Sequence, residues 1–311
     1  MMRIEHTPVL LQECLAALNI QPNGIYIDGT LGRAGHSYEI ARRLKTGRLV
    51  GIDRDVDAIR AAERRLKAFS DRVTLVHGNF RDIGPILERL GIDRVDGMLF
   101  DLGVSSPQLD DAARGFSYMK DAPLDMRMDQ SATLDAKRLV NEWPEERLKW
   151  ILSHYGEERY AGRIAKAIVM ARETMELECT GRLVEVIKGA MPKGALFEKQ
   201  HPAKRSFQAI RIAVNDELSA VEDMLSAAMG RLVPGGRLAV ISFHSLEDRL
   251  VKLAFYRRER GCTCPRDFPV CVCGFVQTMQ TVGRRVIVPD QREIEENPRA
   301  RSAKLRVAER I

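Results

Sequence analysis

Acidic residues follow three apolar segments in the first third of the chain, where the strands of a parallel sheet would end. They are Asp28, Asp53 and Asp101, and a glycine-rich turn, residues 29–35, follows the first of them. Glycine accepts positive φ and has no Cβ, so such a turn brings bare backbone close to a nucleotide-like ligand. The alternative is a tight strand-to-helix turn without a ligand. Asp53 and Asp101 are therefore the first candidates for binding or catalysis.

The second acid, Asp53, lies 24 residues beyond Gly29. An acid at this spacing, at the tip of the second strand, suits an acceptor for ribose hydroxyl groups. The alternative role is a helix N-cap, but Asp55 is better placed to cap the helix that starts near Val56. Asp53 is therefore predicted to bind the ligand.

Two side chains after the third strand pattern, Asn79 and Phe80, could meet an adenine by hydrogen bonding and by stacking. A phenylalanine buried between sheet and helix is the alternative for Phe80. His77, just before them, is predicted to be structural.

The third acid, Asp101, precedes a loop rich in Gly, Ser and Pro, residues 102–111. Open α/β sheets hold their reacting groups at this position. If the substrate is an exocyclic amine, a carboxylate can accept its N–H bonds and point the nitrogen lone pair at an electrophile, so that positioning is the main contribution. Ligand binding without catalysis is the alternative role for Asp101.

The elements that must position these residues alternate between strand and helix. Strand patterns cover residues 25–28, 48–53, 72–77 and 95–101, and helical patterns cover residues 36–45, 56–69 and 83–90. This alternation predicts right-handed βαβ units and a parallel sheet covered on both faces. About a hundred residues without a convincing strand follow, and they are predicted to form a helical insertion. The sheet pattern then resumes with a long helix over 206–232, a strand over 237–243, a helix over 246–258 and late strands over 285–288 and 304–308.

Composition and charge narrow the class of protein. The 311 residues are 45% hydrophobic and 30% charged, and they contain neither an apolar run of membrane-spanning length nor a signal-peptide core. A cytoplasmic location is therefore expected. Residues 182–211 hold seven Lys and Arg against two acids, and residues 257–311 hold twelve against seven. Such basic stretches suit a phosphate-bearing partner, although solvated charge that maintains solubility is the alternative.

The turn Pro234-Gly235-Gly236 before a late apolar strand is characteristic of S-adenosylmethionine-dependent methyltransferases of the Rossmann-like class. The first turn agrees, because it is not the G-x-G-x-x-G of nicotinamide dehydrogenases. A sulfonium cofactor carries no pyrophosphate that would need the helix N-terminus.

Over nearly its whole length the chain resembles the bacterial 16S ribosomal RNA (cytosine-N4)-methyltransferase family. The resemblance rests on ten runs in one order: residues 6–11, 28–37, 101–111, 115–118, 125–129, 155–159, 201–203, 207–211, 241–249 and 296–302. It implies an α/β fold, a Rossmann-like class I methyltransferase sheet with a helical insertion after the fourth strand. The implied boundaries are residues 1–109 and 205–311 for the cofactor-binding domain and 110–204 for substrate recognition.

The resemblance also implies the site residues. The cofactor would be S-adenosyl-L-methionine, and the residues expected to bind it are Ala34, Gly35, His36, Asp53, Phe80, Asp101 and Gln108. Ala34 stands where the family has the first glycine of Gly-Gly-His. A contact between the backbone at this position and the cofactor is still expected. Asp101 is the predicted catalytic residue.

The reaction implied by the resemblance is methylation of the N4 atom of a cytosine in the decoding region of 16S ribosomal RNA. The expected partner is this RNA within the assembled small ribosomal subunit. No membrane partner is expected, and the formation of a homodimer is left open. The basic stretch 188–211 is the candidate for RNA backbone contact, since phosphate neutralisation supplies much of such affinity. His244 could approach the base, but a role in shaping its loop and the cap of the next helix is favoured. For His201, RNA contact and a structural role are both open.

Four cysteines near the end of the chain, Cys262, Cys264, Cys271 and Cys273, are grouped within twelve residues. Four thiols so close together could bind zinc, but C-x-C pairs are tighter than the usual C-x₂-C spacing. Thiols without metal are the expected state in a reducing compartment, and a disulfide is not expected there. No metal ligand is therefore predicted.

Overall fold

The computed structural model describes residues 8–265, 268–270, 272–283 and 286–311. The chain divides into two compact units. The sheet unit is formed by residues of Met1–Gly103 and Leu218–Ile311, and the helical unit is Val104–Glu217.

The sheet unit contains one seven-stranded sheet. Its strands are β1 (Ile25–Asp28), β2 (Arg48–Asp53), β3 (Val73–His77), β4 (Val95–Asp101), β5 (Leu232–Ser242), β6 (Met279–Thr281) and β7 (Lys304–Arg310). The order across the sheet is β3-β2-β1-β4-β5-β7-β6. Strands β1 to β5 are parallel to one another, and β7 is antiparallel to both β5 and β6. The predicted bounds of β1, β2 and β4 are confirmed.

Helices accompany this sheet along the chain. They are α1 (Leu11–Leu18), α2 (Gly35–Arg43), α3 (Val56–Arg65), α4 (Ile83–Arg89), α11 (Glu217–Gly230), α12 (Ser245–Arg260) and α13 (Gln291–Glu296). Alternate residues of one strand enter different hydrophobic clusters: Leu49 packs in one, Val50 in the other. The same alternation places Leu99 with Leu49 and Met98 with Val50. Apolar strands of this kind need both faces of the sheet covered.

The helical unit is built from α5 (Ser106–Asp110), α6 (Ala136–Glu142), α7 (Glu145–His154), α8 (Ala161–Thr174), α9 (Thr180–Ala190) and α10 (Lys204–Asn215). Residues 104–217 are all described, and they contain no strand beyond a bridge between Pro123 and Cys179. The expectation of a helical insertion is confirmed.

The predicted helix over 206–232 is wrong, because it is two helices. Asp216 adopts a left-handed conformation with φ of 48°, which ends α10, and α11 starts at the next residue. Phe207 and Ile210 of α10 are buried in the core of the helical unit. The helical unit therefore runs over 104–217 instead of the expected 110–204, because α10 packs with the helices before it.

The sequence Pro234-Gly235-Gly236 lies inside β5 and not before it. The register along β4 advances from Val95 to Gly97 while the register along β5 advances from Leu232 to Arg237, so the extra residues form an irregularity in β5. Gly235 has a φ of 78°, which a residue with a Cβ rarely adopts.

The remaining differences concern the end of the chain and short elements. For the strand expected over 285–288, Arg285 lies outside the described residues, and Ile287 forms a single bridge with Leu305. The sequence patterns missed α1, α13 and the three-residue strand β6. Among the described residues, no helix combines the length and the apolar character that crossing a bilayer requires.

Candidate active site

The turn after β1 is organised by the buried carboxylate of Asp28. Its Oδ2 accepts a 2.6 Å hydrogen bond from the Ser37 hydroxyl, and its Oδ1 accepts from the Thr30 amide at 3.3 Å. Burial raises the pKa of Asp28 to about 6, although these hydrogen bonds act to lower it. The sequence had shown this acid as the end of the first strand without giving it a role. It ties the first turn of α2 to the tip of β1.

The three glycines of this turn serve different purposes. A Cβ on Gly29 would lie 2.1 Å from the ring of Phe100, and one on Gly35 would lie 2.3 Å from Pro8. These two positions therefore lack a side chain because neighbouring protein groups occupy the space. Only Gly32 combines a positive φ, 49°, with open space around a Cβ. The sequence pattern indicates room for a ligand at all three glycines. The structure corrects this interpretation, because only Gly32 leaves such room.

Asp53 holds the same turn from the tip of β2. Its Oδ2 accepts a 2.8 Å hydrogen bond from the Gly32 amide, and its Oδ1 accepts from the Asp55 amide at 2.9 Å. Asp55 caps α3 by accepting from the Asp57 amide, as the sequence predicted. A carboxylate has about four acceptor positions, so Asp53 keeps acceptor capacity for ligand hydroxyl groups. Burial raises its pKa to about 6.

Asp101 ends β4, which lies next to β1 in the sheet. Its amide donates to Thr30 Oγ1 at 2.5 Å, so its backbone is attached to the glycine-rich turn. Its carboxylate Oδ1 is buried and has no hydrogen-bond partner among the described residues. Burial, followed by the charges of Asp28 and Glu247, raises the pKa of Asp101 to about 8. An unsatisfied acceptor at a strand tip is a group that a ligand would be expected to satisfy.

Phe80 and Asn79 lie beyond the tip of β3. The half-buried ring of Phe80 packs edge-on against Phe100, with centroids 5.9 Å apart and planes at 71°. The Asn79 side chain accepts from the Arg81 amide and caps a 3-10 helix. Both residues thus have a structural role. Part of the Phe80 ring stays exposed and could stack on a ligand. His77 is hydrogen-bonded to the carbonyl of Arg54, in line with its predicted structural role.

Ala34 and His36 face the protein interior. Ala34 is fully buried and has a left-handed φ of 57°, a conformation in which glycine is easier to accommodate. The Nε2 of His36 lies 3.0 Å from the carbonyl of Val9, so the ring donates there. Burial lowers the pKa of His36 to about 4, which keeps the ring neutral. What Ala34, Gly35 and His36 can offer a cofactor is therefore backbone.

Glu247 is a buried acid that sequence reasoning left without a role. Its Oε2 accepts from the Phe243 amide at 2.9 Å, and the Nδ1 of His244 accepts from the Glu247 amide at 3.4 Å. Together they form a capping box at the start of α12. The three-residue spacing between His244 and Glu247 could have indicated this capping box from the sequence, although histidine stands in place of the usual Ser or Thr. His244 thus has the structural role that the sequence favoured.

Gln108 belongs to the helical unit and is buried on α5. Its Oε1 accepts a 3.0 Å hydrogen bond from the Ser105 amide, which completes a capping box. Its contribution to cofactor binding stays a prediction.

The basic stretch 188–211 includes four lysines that are exposed and form no ion pair with any described residue: Lys188, Lys193, Lys199 and Lys204. Arg211 is different, because it forms a two-pronged ion pair with the buried Glu217 at 2.8 and 2.9 Å. The basic stretch that can face a partner therefore ends before Arg211.

His201 lies within this basic stretch. Its ring stacks on Tyr118, with centroids 4.6 Å apart, and its Nδ1 accepts from the Ala203 amide. These contacts support the structural one of the two roles that the sequence left open for His201. A cavity of about 200 Å³ beside it is lined by Arg159, Lys199 and Arg205 among others.

The sheet order, its antiparallel β7 and the acids at the tips of β1, β2 and β4 define a class I S-adenosylmethionine-dependent methyltransferase. The residues present fit this cofactor. The unsatisfied Oδ1 of Asp101 and the acceptors of Asp53 suit a ligand that carries positive charge and hydroxyl groups. The chain belongs to the MraW methylase family, whose sequence pattern it matches over residues 3–311.

Curated relatives are similar over their full length. A protein of Heliobacterium modesticaldum named ribosomal RNA small subunit methyltransferase H is 54% identical over 312 residues, covering 100% of both chains. A protein of the same name from Symbiobacterium thermophilum is also 54% identical, covering 100% of this chain and 98% of its own. The solved structure of an rRNA methylase from Streptococcus thermophilus is 10% identical, covers 99% of both chains and has a TM-score of 0.44.

Proposed function

We propose that this protein transfers the methyl group of S-adenosylmethionine to the N4 atom of a cytosine in the decoding region of 16S ribosomal RNA. The relatives named ribosomal RNA small subunit methyltransferase H, at 54% identity over the whole chain, support ribosomal RNA as the substrate. The observation that carries the chemistry is the buried Oδ1 of Asp101, an acceptor without a partner among the described residues. An exocyclic amine offers the N–H that this oxygen lacks.

In this proposal Asp101 orients the amine. Its Oδ1 accepts one N–H, which leaves the nitrogen lone pair directed away from the carboxylate, and alignment of reacting atoms supplies most of the rate. When bound, S-adenosylmethionine supplies an electrophilic methyl group. Burial raises the pKa of Asp101 to about 8, so its carboxylate, once ionised, is a stronger base than an ordinary aspartate for the proton that the amine must lose.

The remaining strand-tip residues hold the cofactor. Asp53 accepts from ribose hydroxyl groups, Phe80 stacks on the adenine, and Gly32 leaves room for the ligand next to the Asp53 carboxylate. Asp28 keeps the turn in place through Ser37 and Thr30. These assignments predict that Asp53 and Asp101 variants fail at different steps, cofactor binding and methyl transfer.

The lysines of residues 188–204 hold the RNA through its phosphates. The target cytosine must be unpaired or extruded before its amine can reach a strand-tip pocket. The assembled small subunit in the bacterial cytoplasm is the proposed substrate.

The test is a transfer assay with labelled cofactor and four substrates in parallel: assembled small subunits, naked 16S ribosomal RNA, transfer RNA and DNA. The expected label is in 16S ribosomal RNA, on a single cytosine, and mass spectrometry of the nucleosides should identify N4-methylcytidine. Label confined to transfer RNA or DNA would make the protein an amino-methyltransferase of another nucleic acid. Cofactor binding without any label would make it a binding or assembly factor.

The Asp101→Asn variant separates positioning from cofactor binding. It removes the carboxylate and keeps the shape, so transfer should fall by about 10²-fold or more because one positioning group is lost. Cofactor affinity, measured by calorimetry, should change much less. Normal transfer by this variant would remove Asp101 from the catalytic role.

A further inference from the structure

In the segment between α12 and β6, residues 261–278, none of the described residues belongs to a hydrophobic core cluster. Its described residues form neither helix nor strand, and four large apolar side chains are exposed: Phe268 by 51%, Val270 by 69%, Val272 by 72% and Val276 by 74%. A fifth, Phe275, is partly buried. A short segment that buries so little apolar surface needs another source of order, typically a disulfide or a bound metal.

Three cysteines of this segment come together. The Sγ atoms of Cys262, Cys264 and Cys273 all lie within 4.8 Å of one another, and those of Cys262 and Cys273 are 3.7 Å apart. The amide of Val272 donates to the Sγ of Cys264 at 3.3 Å. This contact orients the Cys264 side chain within the cluster.

We propose that Cys262, Cys264 and Cys273 bind a zinc ion. Zn–S bonds of about 2.3 Å in tetrahedral geometry place two ligand sulfurs about 3.8 Å apart. The 3.7 Å between Cys262 and Cys273 agrees with that spacing. Zinc is the favoured ion because thiolates are soft ligands and the site holds no described carboxylate or imidazole. The three thiol protons are released to solvent on binding.

This geometry revises the prediction of no metal ligand. The C-x-C spacing argued against zinc only because adjacent pairs are usually wider, and the fold brings Cys273 to the first pair from nine residues beyond Cys264. Cys271 lies outside the described residues and is not part of the proposed site. The proposed site names three zinc ligands and leaves the fourth unassigned.

Metal analysis of the full chain tests the site directly. The protein is purified without chelators, with a reductant that contains no thiol, and zinc is measured by mass spectrometry. About one zinc per chain is expected, and the Cys262→Ser/Cys273→Ser variant should retain less than a tenth of it. The matched control is Cys179→Ser, which removes a thiol from the helical unit and should keep the zinc. Absence of zinc from the wild-type protein, or full retention by the double variant, would overturn the site.

Cobalt substitution provides a measurement that does not depend on a variant folding. Apo protein titrated with Co²⁺ should show thiolate-to-cobalt charge-transfer absorption in the near ultraviolet that saturates at one ion per chain. Its intensity gives the number of sulfur ligands, and fewer than three would contradict the proposal. Thiol titration after denaturation distinguishes the competing state, because cysteines already joined as disulfides in freshly purified protein would also rule out the zinc site.

Discussion

The amide of Gly32 donates a 2.8 Å hydrogen bond to the carboxylate of Asp53, so the acid at the tip of β2 holds the turn that follows β1. Asp28 holds the same turn from the other end through Ser37. The cofactor site is therefore shaped by carboxylates that also stabilise the backbone. Loss of either acid should affect the apo protein as well as ligand binding.

Replacing Asp53 by Ala should weaken S-adenosylmethionine binding by about ten- to a hundredfold, because hydrogen bonds to a charged group contribute about 1.5–3 kcal/mol. Calorimetry on the folded variant measures the change. Asp57→Ala is the matched control, since it removes an exposed acid from the first turn of α3, where Asp57 pairs only with Arg60 in the described structure. Equal affinities for wild type and Asp53→Ala would exclude Asp53 from the site.

Gly29→Ala should destabilise the protein by about 1–3 kcal/mol or more, because the new Cβ would overlap the buried ring of Phe100. Gly84→Ala is the control, since a Cβ at Gly84 meets no atom within 4 Å and alanine is the better helix former. Urea unfolding of both variants measures the difference. If Gly29→Ala were as stable as Gly84→Ala, the close approach of Gly29 and Phe100 would be wrong.

Three strand tips were predictable from sequence because the apolar runs of β1, β2 and β4 each end in an acid. Bounds of β1, β2 and β4 were obtained in this way, and the candidate acids Asp53 and Asp101 followed from them. The capping role of Asp55 also followed, since the spacing to the helix start is a local property. Local signals therefore located the candidate site well.

Non-local contacts explain what the sequence could not provide. Nothing near Gly29 or Gly35 in sequence indicates that Phe100 and Pro8 occupy the space beside them. The break at Asp216 has only a weak local signal, because neither Pro nor Gly marks the end of α10. Its one indication is the pair Asn215-Asp216, since asparagine and aspartate adopt the left-handed conformation more readily than most residues with a Cβ. The convergence of Cys262 and Cys273 depends on how the intervening chain folds back.

The stability of the apo protein should decrease as the pH rises from about 4 to about 8. Asp101 has a pKa of about 8 in the folded protein and an ordinary value of 3.8, so the folded state holds a proton that the unfolded state has lost in this range. The stabilising contribution is complete below pH 4 and disappears as the pH passes the folded pKa. Asp28 and Asp53, with pKa values of about 6, act in the same direction at lower pH.

Asp101→Asn isolates the contribution of this group. The variant cannot ionise there, so at pH 8 it should be more stable than wild type by about 1 kcal/mol or more, with a smaller difference at pH 4. Thermal unfolding of both apo proteins across this range measures the effect. Parallel pH profiles for the two proteins would show that Asp101 ionises normally and would weaken the case for its buried acceptor.

Lys204→Ala should weaken binding to 16S ribosomal RNA without changing cofactor affinity. Lys204 is exposed and starts α10, where the first turn contains no acid, so its charge adds to the positive end of the helix dipole. Losing one phosphate contact should reduce the slope of log affinity against log salt by about 1. Filter binding over a range of salt concentrations measures this slope, and calorimetry measures the cofactor.

The control for Lys204 is Lys137→Ala, also in the helical unit, because Lys137 is already paired with Glu176 and Glu178 at 3.3 and 3.1 Å. Its removal leaves the free positive charge of the surface nearly unchanged, so the salt slope should stay at the wild-type value. Identical slopes for the two variants would show that Lys204 does not contact the RNA backbone. A loss of cofactor affinity in Lys204→Ala would instead indicate that the substitution disturbs the fold.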